Sequence, residues 1–277
     1  MTGGPTIQWT VSALTDAFCE AGIEAGDNLV LHSSYKCLGA VEGGPGGVVE
    51  ALLSALGPAG NLMVPTFTYS LPMWSAEPFD LHNSKSRVGA ITEAVRLHPR
   101  ALRSFHPTHS VAVIGPDAEE IVRNHLHSTP IGLESPFGRM VRRGAKILML
   151  GTHQDTNSSL HYCEVAANLP YIRVAFREGM DYELAWFFNE NGQIEYAQVF
   201  EVPGCSRGFR VIEGPLRERG VLRDVLVGGA PSQLLEMARF VPVAVEILSA
   251  EPSLLLCNTV QCQICGKRRE FMKKNTG

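Results

Sequence analysis

The chain has 277 residues, 45% of them apolar, enough to bury a large core in one α/β domain or in a domain with an appendage. Its 24 basic and 28 acidic side chains leave a net charge of −4, which argues against the broad positive field of a nucleic-acid binder. No apolar run approaches the ~18 residues of a membrane span, and MTGGPTIQWT lacks the basic-then-apolar pattern of a secretion signal. The expectation is a cytoplasmic protein with neither a nucleic-acid nor a membrane partner.

The predicted elements begin with a helix over residues 10–21, where Val11, Leu14, Phe18 and Ala21 recur at helical spacing. NLVLHSS reads as a short buried strand. Glycine-rich GAVEGGPGG follows, then the helix VVEALLSALG, closed by Gly57. NLMVPTFTY is a second strand, GAITEAVRLHP a helix ended by its proline, HSVAVIG a third strand and DAEEIVRNHLH a helix. KILMLGT is the fourth strand, and a helix carrying His161 comes next. Strands alternating with helices predict a layered α/β/α fold. Between about 171 and 202 the pattern changes: YIRVAF, YELAWFF and QIEYAQVF read as antiparallel strands in the C-terminal half. PSQLLEMARFVPVAVEILSA reads as helix and GKRREFMKKNTG as disordered. With no internal repeat or low-complexity linker, the expectation is one domain over 1–277, with a β-rich segment at 171–202 and a small Cys-rich appendage at 257–265.

LHSSYKCLGAVEGGPGG, residues 31–47, sets hydroxyls at a strand end and glycines before a helix. Free N–H groups and the helix dipole there suit an anionic or amide-rich ligand. The stretch is neither a Walker A motif nor G-x-G-x-x-G, and it reads equally as a plain glycine-rich turn. RSFHPTHSVAVIG gathers Arg103, Ser104, His106 and Ser110 before a strand, either to hold phosphate or as a solvated loop. His161 and Glu164 lie one turn apart on one helical face, just beyond a strand end, where α/β sheets bind ligands. In the first turn of a helix capped by Asn157 or Ser158, the dipole would keep His161 neutral, as a general base must be. Two alternatives stand beside it: a packing histidine, and a metal-dependent hydrolase using His153, Asp155, His161 and Glu164, although H-E-x-x-H is absent.

The seven cysteines, in a reducing compartment, read as thiols or metal ligands rather than disulfides. CNTVQCQIC spaces Cys257, Cys262 and Cys265 as three ligands of a structural zinc site, with Cys205 of PGCSRGF as the fourth. Cys19, Cys37 and Cys163 read as small core residues.

LHSSYKCLGAVEGG, ALLSALGPAGNLMVPTF, RSFHPTHSVAVIG, GLESPFGRMVRRGAKILMLG and SLHYCEVAANLPY occur in that order. Through them the chain resembles the aminoglycoside 3-N-acetyltransferase family of antibiotic resistance enzymes, from residue 31 to about 171. The resemblance implies acetyl-CoA as donor and an amine of an aminoglycoside or related natural product as acceptor. It implies that Ser33, Ser34, Lys36, Val41 and Gly43, with Arg103, Ser104, His106 and Ser110, bind coenzyme A, and that Ser135 and Phe137 line the same cleft. It makes His161 the base, oriented by Glu164 or by Glu201, with backbone N–H groups around Ser33 and Ser34 as oxyanion donors. FEVPGCSRGF stands where the family carries an aspartate-containing stretch, which leaves Glu77 and Asp80 as acceptor-side carboxylates. A non-catalytic protein that binds coenzyme A and zinc is the remaining alternative, and no residue pattern sets the oligomeric state.

Overall fold

Three apolar runs become the parallel centre of a mixed sheet in the computed structural model, which describes residues 8–275. In chain order the elements are β1 (Gln8–Trp9), α1 (Val11–Ala21), β2 (Asn28–Ser33), β3 (Ala40–Val41), α2 (Gly44–Leu56), β4 (Asn61–Pro65) and α3 (Ala90–Leu97). Then come β5 (Leu102–Arg103), β6 (Val111–Ile114), α4 (Ala118–Val122), α5 (Pro136–Arg142), β7 (Lys146–Leu150) and α6 (Ser159–Ala166). The C-terminal half adds β8 (Tyr182–Phe188), β9 (Ile194–Phe200), α7 (Glu213–Glu218), β10 (Leu222–Val227), β11 (Ala230–Glu236), α8 (Met237–Ala250) and α9 (Gln263–Asn275). The main sheet has the order β10-β11-β7-β2-β4-β6-β5. β2 pairs in parallel with both β7 and β4, and an antiparallel pair flanks this centre on each side.

The period of two along the central strands divides the core. Leu29, Leu31, Leu62, Val64, Leu148 and Leu150 face α1 and α2, while Val30, Met63, Ile147 and Met149 face α5, α6 and α8. Both faces are buried, so these strands read as continuous apolar runs, and the fold is the layered α/β/α arrangement expected. α1 starts where Thr10 Oγ1 accepts from the Ala13 N–H at 3.2 Å and stops at Gly22, whose φ of 103° suits glycine. β8 and β9 form a separate hairpin over the small cluster of Leu71, Ala185, Val199 and Val202. Among the described residues no helix is long and apolar enough to cross a membrane.

Several expectations are corrected. Residues 171–176 form turns rather than a strand. Residues 230–236 form β11, paired to β7, and the helix begins only at Met237. The helix expected over 117–127 stops at Val122; Asn124 turns left-handed at φ 50°, and His125 is buried against Ser104. The tail is not disordered up to Asn275: α9 buries Ile264, Cys265 and Arg268. The last two residues of that stretch, 276 and 277, lie outside the described residues. Cys163 is a core residue, but Cys19 and Cys37 are exposed.

The three parallel strands end together at Ser33, Pro65 and Leu150. The chain leaves β2 toward β4 while β7 lies on the other side, so a crevice opens between the diverging loops. His32, His106, His109 and His125 are buried beneath it, and burial lowers the pKa of all four, to about 3 for His32 and His125. The unfolded chain therefore takes up their protons first. Stability should fall as pH drops below about 6.5, by about 1.4 kcal/mol per pH unit for each histidine. Urea unfolding at pH 7.5, 6.5 and 5.5 should show this loss; a flat profile would mean that these imidazoles are protonated in the native state.

Candidate active site

The loop after β7 builds the site. Gly151 turns it at φ 61°, close against Ser34 and Cys37, where a Cβ would collide. A buried polar chain then fixes the start of α6. Gln154 Nε2 donates to Gln233 Oε1 at 2.9 Å, and Gln154 Oε1 accepts from Asn157 Nδ2 at 2.8 Å. Asn157 Oδ1 in turn accepts from the Ser159 N–H at 2.9 Å, so Asn157 supplies the cap.

One turn into α6, His161 is 7% exposed and Glu164 4%. His161 Nδ1 and Glu164 Oε2 are 2.6 Å apart, and Tyr171 donates its hydroxyl to Glu164 Oε1 at 2.7 Å. Burial alone pushes the Glu164 carboxyl up. The His161 contact, the Arg268 charge and the Tyr171 hydroxyl outweigh that and hold it below the ordinary carboxylate value. An ionised carboxylate can only accept, so the proton of this bond sits on Nδ1 and Nε2 is the ring nitrogen left outside it. The ring rests edge-on against Phe209, with centroids 4.7 Å apart.

His161 lines a cavity of about 330 Å3 together with His32, Ser33, Tyr69, His109 and Asp155. His32 Nε2 and Ser33 Oγ are buried there without a hydrogen-bond partner. Such atoms are costly unless a ligand or water satisfies them. Burial and the neighbouring His161 and His125 keep His109 neutral, with its pKa well below the usual value.

The remaining expected residues divide clearly. Lys36 and Gly43 are exposed on the segment after β2, whereas Val41 is buried. The Ser34 N–H donates to the Leu150 carbonyl at 2.8 Å and is spent as an oxyanion donor. Arg103 donates to the carbonyls of Leu81, Ser84 and Thr66 and to Ser110 Oγ, at 2.6–3.1 Å. Burial brings its pKa down to about 10. Ser110 Oγ donates to Thr66 O at 2.8 Å, Ser104 bonds His125 at 2.8 Å, and His106 Nδ1 accepts from the His109 N–H at 3.0 Å. This quartet braces the crevice from behind and is not part of the cavity wall. Ser135 caps α5, and Phe137 is wholly buried. Glu77 is exposed, and Asp80, which holds the turn at His82 and Asn83, lines a separate cavity with Phe105 and Phe187.

Glu201, left-handed at φ 50°, lies 3.7 Å from Arg173, so Glu164 is the carboxylate hydrogen-bonded to His161. His153 lies 3.7 Å from Glu213. Among the described residues, the one group gathered as a metal ion requires is Cys205, Cys257, Cys262 and Cys265, whose sulfurs all lie within 4.8 Å of one another. His153, Asp155, His161 and Glu164 are not brought together in that way. Tyr171, His32, His109 and Arg268 belong to the site or its support without having been singled out. The first three sit in quoted motifs, but Arg268 lies in a tail whose charge conceals its burial.

An imidazole hydrogen-bonded to a buried carboxylate, beside an unpartnered hydroxyl at the ends of parallel strands, forms the polar centre of an α/β enzyme cleft. Residues 30–249 match the profile of the aminoglycoside 3-N-acetyltransferase family, and the chain belongs to that family; it is an acetyltransferase. It is 29% identical to aminoglycoside N(3)-acetyltransferase IV from a Salmonella species, over 90% of this chain and 91% of the relative. It superposes on the aminoglycoside acetyltransferase AAC(3)-IVa, solved as the apoenzyme and as a histidine-to-alanine variant in complex with a gentamicin. The TM-score is 0.84 and the identity 27%, over 97% of this chain and 99% of that one. AAC-IIIb, solved with CoASH, superposes with a TM-score of 0.77 and 26% identity, over 88% and 97%.

The geometry of Glu164 is open to test. Tyr171→Phe strands one buried carboxylate oxygen and should cost about 1–3 kcal/mol in urea unfolding. An unchanged midpoint would mean that the hydroxyl contributes nothing to holding Glu164.

Proposed function

We propose that the enzyme transfers the acetyl group of acetyl-CoA to an amine of an aminoglycoside or a related amine-bearing natural product. His161 is the general base and Glu164 its positioning partner. The observation that carries this reading is the 2.6 Å bond at Nδ1, which leaves Nε2 as the basic nitrogen of a residue lining the cavity. Support for the two substrates comes from the gentamicin-bound and CoASH-bound relatives.

The amine nitrogen attacks the thioester carbonyl, forming the C–N bond as the carbonyl pair moves onto oxygen. Nε2 accepts the amine proton, and the Glu164 carboxylate stabilises the resulting imidazolium. The C–S bond then breaks, the thiolate leaves with its electron pair, and the imidazolium returns the proton to sulfur. Ser33 Oγ, buried and unpartnered, is the donor for the carbonyl oxygen in place of the spent Ser34 N–H. Ser33, Ser34, Lys36 and Gly43, on the segment leaving β2, hold the coenzyme, while the Arg103 quartet keeps that wall rigid. No cysteine is needed as a nucleophile. The same reading places a structural zinc ion on Cys205, Cys257, Cys262 and Cys265, away from the reacting atoms.

On the acceptor side, Asp155 is the carboxylate of the cavity, and the adjoining groove presents Arg87 and Arg207. The acceptor panel must therefore run from polycationic aminoglycosides to amino sugars of lower charge. Thiol release from acetyl-CoA should depend on one of these amines. His161→Ala should lower kcat by about a hundred- to ten-thousand-fold while leaving acetyl-CoA affinity within about twofold. Turnover of that variant near the wild-type rate would contradict the role of His161.

A further inference from the structure

Between β9 and α7 the chain runs through residues 202–207, a strap without regular structure. Pro203, Gly204 and Ser206 wall both the cavity beside His161 and an adjoining groove of about 620 Å3 that holds Trp74 and Phe176. Pro203 has no N–H to give and Gly204 no side chain to pack, so the strap brings little of its own to fix it.

Val202 packs into the cluster under the β8–β9 hairpin, and the C-terminal tail holds the strap beyond it. Arg268 of α9 donates to the Val202 carbonyl at 3.1 Å and passes so close to Gly204 that a Cβ there would strike the guanidinium. Cys205, in the middle of the strap, has its sulfur 3.7 Å from that of Cys257, with those of Cys262 and Cys265 in the same cluster. A disulfide would need about 2.05 Å. Four thiolates around zinc, at about 2.3 Å each, lie about 3.8 Å apart along each edge of the tetrahedron. The tail thus supplies three ligands and the cleft wall the fourth.

We propose that a zinc ion on these four cysteines fixes the strap as the wall of the acceptor cleft. Occupancy of the metal site then sets the affinity for the amine acceptor but not for acetyl-CoA. The inference rests on the assignment of that cleft to an amine acceptor. Its physical basis is a cross-link: one ion ties a segment of poor self-adhesion to a helix that is itself buried against the core.

The experiment combines metal content, hydrogen exchange and kinetics on the full chain. Purified protein should carry about one zinc per chain by elemental analysis. Cys265→Ser, which changes a ligand outside the cavity walls, should lose it. Amide exchange across residues 202–207 should then accelerate about tenfold or more. The KM for the acceptor should rise about tenfold while the KM for acetyl-CoA stays within about twofold. Wild-type protein stripped with a chelator and refilled with zinc gives the same comparison without a substitution, and far-UV circular dichroism checks that the fold survives. Folded protein with no zinc, or with iron in its place, overturns the metal site. Zinc that can be removed with no change in strap exchange or acceptor KM overturns the coupling. Metal content and exchange decide the matter even if no amine in the panel is turned over, a result that would count against the proposed acetyl transfer instead.

Discussion

The contact on which the rest depends is the 2.6 Å hydrogen bond between His161 and Glu164. Burying a carboxylate is costly unless every lone pair it presents is used. Here His161 takes one oxygen, Tyr171 the other, and Arg268 adds charge at short range. The bond also sets the tautomer of the imidazole, and therefore which nitrogen is basic. A histidine at this position without Glu164 would have either nitrogen available and no fixed ring plane.

That geometry is inherited from the sheet through few intermediaries. β11 pairs with β7 and brings Gln233 beneath the loop; Gln154 and Asn157 carry the order to the first N–H of α6; one turn later the side chain of His161 meets Glu164. The four buried histidines behind the crevice act in the opposite sense. Kept neutral by burial, they add no positive charge beneath the cleft.

Legibility in the sequence followed burial on two faces. β2, β4 and β7 are apolar throughout because both sides are covered, and the pair at positions i and i+3 on α6 could be read directly. β11 was hidden because Ser232 and Gln233 are polar yet nearly wholly buried, serving Gly151 and Gln154 rather than water. α9 was hidden because its lysines and arginines resemble a solvated tail, while Arg268 is 3% exposed and folded over the Tyr171 ring. The RSFHP stretch posed the reverse problem. Its arginine and hydroxyls look like a ligand cradle, and they also bond within the wall itself, Arg103 and Ser110 to carbonyls and Ser104 to His125. Spacing alone cannot separate a group that binds a ligand from one that braces the loop beside it.

Gly204, Cys205 and Arg207 stand where the sequence resemblance leads us to expect acidic side chains, and the groove they help wall carries Arg87 and Arg207. The central claim remains that Nε2 of His161 receives the acceptor proton. A crystal structure with coenzyme A and a turned-over amine bound together tests it most directly. The account predicts the reacting nitrogen within about 3.2 Å of Nε2, or one water away, with the coenzyme sulfur on the Ser33 side. An acceptor amine seated away from His161, with Nε2 facing only protein, would contradict it.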